Sequence, residues 1–336
     1  MAAHGEDSSD EATPDAILAV ASGFMAAKHL FVASEIGLFA ALAGGPLSVE
    51  ELAERTGVPA ASVRILAGAM TALGFVARAG DRYRNQPVAQ RYLAGQTPAD
   101  LRPGLRFFDQ ISYPTWEHLE EAIRTRRGVR GDLSPERNAI RSHGIESISA
   151  AAAQALAQFS GVAQRRHMLD LGGGMGFFSR VLAQHYPHLE ATLFDLPAVA
   201  TIARASLAGT AEGARIAVVA GDFFHDPIPP GHDAVLLANI IHLFAPDHNR
   251  ELLARIRAGV APGTALLLVD FWTDPTHTQP VFAALMAGEW LTATGEADCY
   301  SVTEVADWLG ETGWSVETHQ PLAGPASLIA AQARVE

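Results

Sequence analysis

The sequence predicts a two-part protein: a small, mostly helical domain, then a doubly wound, mostly parallel α/β domain with an antiparallel C-terminal edge. Three observations carry this. The chain has 336 residues, of which 49% are hydrophobic, so it has material for two real cores. Its first hundred residues show apolar side chains at helical spacing and then two short alternating runs. From His167 onward, short apolar runs alternate with amphipathic segments, the rhythm of a parallel sheet covered on both faces.

The elements follow in order. Residues 1–14 are acidic, lack the apolar core of a signal peptide, and are expected to be a disordered tail. Residues 15–100 open with "ILAVASGFMAAKHLFVASEIGLFAAL", helical until Gly44-Gly45-Pro46 breaks the pattern. "SVEELAERTG" then has Ser48 followed three residues on by Glu51, a capping box, with Gly57 as its stop. A second helix, "PAASVRILAGAMTALG", leads to "FVARAGDRYRNQP", two strands turning at Gly80-Asp81. Helix, turn, helix and β-wing make a winged helix. Residues 101–160 are expected to be a helical linker and pocket region, containing "PTWEHLEEAIRTRRG" and "GIESISAAAAQALAQFSG". Residues 161–336 form the α/β domain. Its strands are "HMLDL", "EATLFD", "RIAVVAG", "DAVLLAN" and "TALLLVDF", with helices at 176–186, 197–208 and 247–259 between them. "WSVETHQPL" and "SLIAAQARV", joined by a short Gly-Pro link, suit a hairpin and bring the sheet to seven strands.

Charge and composition exclude several functions. A net charge of −13 argues against nucleic acid or an anionic membrane as partner. The helix at 59–73 offers one basic residue, Arg64, too few for a DNA-reading helix, so this module is expected to pack against protein. The single cysteine, Cys299, rules out an intrachain disulfide and fits a reducing cytoplasm. No apolar run is expected to reach the length of a membrane span.

In a doubly wound sheet, ligands bind at the carboxyl ends of the strands. "DLGGGMG" ends the first strand and opens a helix, so it lies there. The dinucleotide pattern G-x-G-x-x-G fails because residue 177 is Phe177, and a phosphate loop would need a lysine that is absent. What remains is Asp170-x-Gly172-x-Gly174-x-Gly176. Asp195 closes the second strand, 23 residues after Gly172, where a carboxylate suits the two hydroxyls of a ribose. Asp222-Phe223 closes the third strand, offering an acceptor for an exocyclic adenine amine and a ring to cover its face. Asn239 and His242 follow the fourth. The set describes an adenosyl ligand without a pyrophosphate.

"LDLGGGMG", "LFDLP", "AGDFF" and "ANIIHLF" resemble, in order and spacing, the motifs of class I S-adenosylmethionine (SAM)-dependent methyltransferases. With the winged helix, the chain more narrowly resembles the caffeic-acid-type O-methyltransferase family and its bacterial secondary-metabolite branch, from about residue 15 onward. That resemblance implies a Rossmann-like fold and SAM as cofactor. It places Gly172 and Gly174 along the methionine part, Asp195 on the ribose, and Asp222 and Phe223 on the adenine, with Asp170, Leu196 and Asn239 also among the cofactor-binding residues. It implies a homodimer through the N-terminal domain, and His242 as general base on an acceptor hydroxyl, oriented by Asp270.

The family's H-D-W motif reads His242-Leu243-Phe244 here, and Cys299, with Asp298 beside it, stands where a second orienting carboxylate is expected. A C- or N-methyltransferase of the same fold working by proximity therefore stays open, as does a non-catalytic SAM-binding regulator. Met25, Phe107, Tyr113, Trp116, Phe282, Met286 and Trp290 are candidates for a flat apolar pocket around a small-molecule acceptor. No spacing of histidines and carboxylates supports a metal site.

Overall fold

The computed structural model describes residues 13–129 and 134–335, so the expected tail lies outside the described residues up to residue 12. The chain divides into two compact units, Met1–Asp109 and Gln110–Glu336.

In the first unit, helices Val49–Thr56 and Ala60–Ala72 are followed by strands β1 (Val76–Ala79) and β2 (Arg82–Asn85), paired antiparallel. The capping box forms as its spacing demands: Glu51 N–H donates to Ser48 Oγ at 3.3 Å, and Ser48 N–H donates to Glu51 Oε2 at 2.7 Å. Gly57 ends that helix in the left-handed region. Leu47 bonds Tyr83 in both directions, adding a short third edge to the wing. Val63, Ala67 and Met70 fall on one helical face and pack with Leu38, Phe39, Leu52 and Tyr83.

One expectation fails in this unit. The two opening helices, Asp15–Ala21 and Gly23–Glu35, together make a 21-residue stretch, Asp15–Glu35, long and apolar enough by length and composition to cross a membrane. Its sequence interleaves small residues with the apolar ones, which hides the run from the eye. Ile17, Leu18, Val20, Phe24 and Met25 are all at least half exposed.

The second unit is built on β3 (His167–Leu171), β4 (Glu190–Asp195), β5 (Ile216–Ala220), β6 (Ala234–Ala238), β7 (Ala265–Asp270), β8 (Trp314–Pro321) and β9 (Ser327–Ala333). Their order is β5-β4-β3-β6-β7-β9-β8. The first five run parallel, while β9 is antiparallel to both β7 and β8. Side chains alternate across the sheet, so Met168, Leu193, Leu236 and Leu267 enter one core and Leu169, Leu171, Val235, Leu266 and Leu268 the other. All six residues of β7 are buried. Because β4 and β6 flank β3 on opposite sides, the crevice of the switch point opens at the carboxyl ends of β3 and β6.

The intervening helices lie close to their expected bounds, at Phe177–His185, Pro197–Leu207 and Pro246–Gly259. The helix Pro135–Leu156 begins well before its alanine-rich part, started by Ser134 as cap and Pro135 in the first turn. The expected helix at 114–128 is instead segmented: Tyr113–Thr115, a tight turn at Trp116–His118, then Leu119–Thr125.

Candidate active site

Between β3 and the helix Phe177–His185, Gly172, Gly174 and Gly176 have φ of +69°, +58° and +82°, conformations that only glycine adopts cheaply. Their surroundings differ. A Cβ at Gly172 would lie 2.4 Å from Ile240 Cδ1, and one at Gly173 2.6 Å from the Asp170 carboxyl carbon. At Gly176 it would meet Leu193 Cδ1 at 3.1 Å, whereas at Gly174 nothing lies within 4 Å. Three of these glycines are thus small because the protein packs against them. Gly174 faces open space, where a ligand can approach the backbone.

The expected carboxylates gather around this turn. Asp195 Oδ2 accepts the Gly174 N–H at 2.9 Å and its Oδ1 accepts the Leu196 N–H at 2.7 Å; burial still pushes its pKa above the usual value. Asp170 is 1% exposed. Its Oδ2 accepts from Ser179 Oγ at 2.6 Å, its Oδ1 is buried with no partner, and burial pushes its pKa up to about 6. Asp222 lies nearer solvent, accepting from Phe224 N–H at 2.9 Å and facing His225 Nδ1 at 3.0 Å, and the Phe224 bond helps hold its pKa below the usual range. Phe223 packs edge-on to Phe224 and Phe244 and lies 3.6 Å from the position a Gly172 Cβ would take. The ends of β3, β4 and β5 thus converge on one crevice. Asn239, at φ +58°, donates from Nδ2 to Ser149 Oγ at 3.3 Å, and both residues line a small cavity with Phe271.

Ser149 belongs to the helix Pro135–Leu156, which brings residues that sequence reasoning missed. The Arg141 guanidinium is half-buried and feels the charge of Asp195, yet has no hydrogen bond or ion pair among the described residues; burial lowers its pKa. Glu146 has a buried Oε1 without a hydrogen-bond partner among the described residues. Nothing in the local pattern of this helix signals that it passes over the strand ends, so these charges read as ordinary helix surface.

His242 lies in a tight turn, Ile241–Leu243, just beyond β6. That turn is held from below: Asn249 Nδ2 donates to the carbonyls of Ile241 and Phe244, and Tyr300 Oη donates to Phe244 O at 2.6 Å. Asn249 and Tyr300 were also missed, being polar residues in otherwise unremarked helix and loop. His242 is 2% exposed. Its Nδ1 bonds Asp270 Oδ1, its backbone N–H donates to Asp270 Oδ2 at 3.3 Å, and Phe271 N–H donates to Asp270 Oδ1 at 2.8 Å. No group among the described residues bonds Nε2. Trp290 lies parallel over the imidazole, with centroids 3.9 Å apart.

Cys299 is fully buried, and Asp298 beside it bonds the Cys299 N–H rather than reaching His242. Of the expected pocket residues, Phe282 packs on Phe271 at 5.4 Å and Trp116 stands against Gly288, next to Glu289. Ser112 Oγ joins Trp116 Nε1 to Glu289 Oε2, at 3.3 and 2.7 Å. Tyr113 and Met286 are half-buried on the same pair of helical segments. Met25 and Phe107 belong to the first unit, where Phe107 packs on Phe108 at 5.5 Å. Among the described residues, no three His, Cys, Asp or Glu side chains group so as to hold a metal.

Comparison with known proteins bears on the family and the fold. The O-methyltransferase domain profile matches residues 129–315, and the O-methyltransferase dimerisation domain profile matches residues 18–95. The chain is 34% identical to 3-hydroxy-5-methyl-1-naphthoate 3-O-methyltransferase of Streptomyces sahachiroi over 90% of both chains. It is 30% identical to the tetracenomycin polyketide synthesis 8-O-methyl transferase of Streptomyces glaucescens, over 94% of this chain and 95% of that one. It also superposes on human N-acetylserotonin methyltransferase in complex with SAM with a TM-score of 0.87 at 26% identity, covering 97% and 99% of the two chains. A doubly wound transferase domain preceded by a winged helix, over nearly the full length of these relatives, leaves one assignment: the chain belongs to the O-methyltransferase family.

Proposed function

We propose that this enzyme uses SAM to methylate a hydroxyl group of a small aromatic secondary metabolite, with His242 as the base that takes the hydroxyl proton. The observation that carries the reading is the His242–Asp270 pair: Nδ1 is committed to a buried carboxylate, while Nε2 has no partner among the described residues. Ile240, two residues before His242, touches Gly172, so the base stands next to the glycine turn.

The residues at that turn fit the cofactor. A buried carboxylate oxygen without a partner at Asp170 suits a cationic group, and the open face of Gly174 leaves room for a chain to pass. Asp195 with Leu196 would hold the ribose, Asp222 and Phe223 the adenine, and Gly172 and Asn239 would border the methionine part. The unpaired guanidinium of Arg141 would take the carboxylate of that part. SAM supplies, when bound, a sulfonium methyl group that is already strongly electrophilic. The protein is then left two tasks: to align the acceptor and to remove a proton. Alignment can lower the barrier by on the order of 7–11 kcal/mol, and a positioned base contributes roughly 10²–10⁴-fold. Asp270 keeps Nδ1 protonated, so the lone pair of Nε2 faces the acceptor. Trp116, Tyr113, Phe282, Met286 and Trp290 offer apolar surface for a flat ring.

The enzyme would act as a cytoplasmic homodimer through its N-terminal unit. The exposed face of Asp15–Glu35 falls largely within the dimerisation match, so we read it as subunit contact rather than membrane span. Incubating metabolite extracts with enzyme and methyl-labelled SAM, and locating the label by mass spectrometry, tests the whole reading. Label on carbon or nitrogen would replace it with the proximity mechanism.

A further inference from the structure

The imidazole of His242 is fixed on one edge by Asp270, but an edge contact alone leaves its plane free to tilt about that hydrogen bond. Two rings restrict the tilt. Trp290 lies over the imidazole at 3.9 Å between centroids and 11° between planes, and Phe271 is nearly parallel to it at 6.1 Å and 15°. The Trp290 Nε1 is buried and faces the Cys299 thiol rather than a carboxylate that could draw the indole over the imidazole. The other group on this side, Cys299, is fully buried against Asp270 and Trp290, and burial pushes its thiol far above the usual range, so it carries no charge that could orient the ring.

We propose that Trp290 is a positioning residue for the base: its stacked indole fixes the plane of the His242 imidazole so that Nε2 points at the acceptor, with Asp270 the sole carboxylate partner among the described residues. This rests on the reading of His242 as base. Trp290 therefore acts through His242, whatever apolar surface it also offers the acceptor.

The test is nuclear magnetic resonance of full-length protein labelled with ¹⁵N-histidine and saturated with S-adenosylhomocysteine, the His242 signals being identified by their loss in His242→Gln. The wild type should show one sharp Nδ1–H tautomer with an unprotonated Nε2. Trp290→Phe, which keeps a ring face, should look the same. Trp290→Met, which keeps apolar bulk without a ring, should broaden or split the Nε2 resonance, while S-adenosylhomocysteine affinity by calorimetry stays unchanged. If the Met variant is as sharp as the wild type, or the Phe variant is broadened equally, Trp290 does not position the ring and the base reading stands untouched. If the wild type instead rests in the Nε2–H tautomer, the base reading falls and this inference falls with it.

Discussion

Asp170 and Asp270 are both 1% exposed and both stand at the carboxyl ends of strands in the same sheet, yet their surroundings are opposite in kind. Asp270 accepts three hydrogen bonds, two of them from His242. Asp170 is held by Ser179 alone among the described residues and keeps a bare buried oxygen. An unmet buried acceptor costs about 1–3 kcal/mol, and a fold tolerates that where something else gains from it. The His242–Asp270 end of the crevice is completed by the protein's own atoms. The Asp170 end is left unfinished in a way that a cationic group would complete.

The largest effect should come from the finished end. His242→Ala should cut kcat by on the order of 10²–10⁴ and leave S-adenosylhomocysteine affinity as it was. The residual rate should climb with pH as the acceptor hydroxyl ionises in solution. A near-wild-type rate across the pH range would remove the base, and with it the case for oxygen as target atom.

At the unfinished end, Asp170 gives a stability effect whose sign follows from its pKa. The folded value, about 6, lies above the 3.8 of an unperturbed aspartate. The folded state therefore prefers the protonated form, and stability should be lost as pH rises from about 4 to about 6. Two pH units correspond to about 3 kcal/mol. Thermal melts of the ligand-free enzyme should show this decline in the wild type and not in Asp170→Asn. The variant should melt higher at pH 7 and bind SAM more weakly. A variant that declines in parallel with the wild type would place the strain elsewhere.

Next in size, Asp195→Ala should weaken SAM binding by roughly 1.5–3 kcal/mol, the worth of hydrogen bonds to a charged acceptor. It also frees the Gly174 N–H that Asp195 now holds. Calorimetry showing unchanged affinity would sink the ribose assignment. The smallest effect belongs to Cys299. Although it sits beside Asp270, Cys299→Ala should cost only about 1 kcal/mol of stability and leave kcat unchanged, since a neutral thiol takes no part in the proton transfer. A large fall in kcat would show that the thiol matters to the pair.

The gathering of the glycine turn, Asp195 and Asp222-Phe223 at the strand ends was legible in the sequence because each part is local. A glycine turn, an aspartate closing a strand and an Asp-Phe pair each occupy a few consecutive residues, and parallel strands bring such ends together by topology alone. The capping box at Ser48 and the hairpin at β8 and β9 were legible for the same reason. Asp15–Glu35 was misjudged because its alanines, glycine and two serines dilute the apolar residues to the eye while leaving the average high. The reason for the glycines was seen only in part. Spacing shows that side chains are excluded, not that Ile240, Asp170 and Leu193 exclude them at three positions and open space surrounds the fourth.

Local patterns, then, settle which elements form and in what order they wind, since periodicity, caps and turns act over a few residues. They also settle which side chains stand at each strand end. Which distant side chains meet is a different kind of fact. Trp290 reaches His242 from 48 positions away, Arg141 feels Asp195 from 54, and Asn249 and Tyr300 hold the turn that carries His242. Those meetings depend on how helices cross the finished sheet, and a helix's own periodicity says which face is apolar but not what lies opposite it.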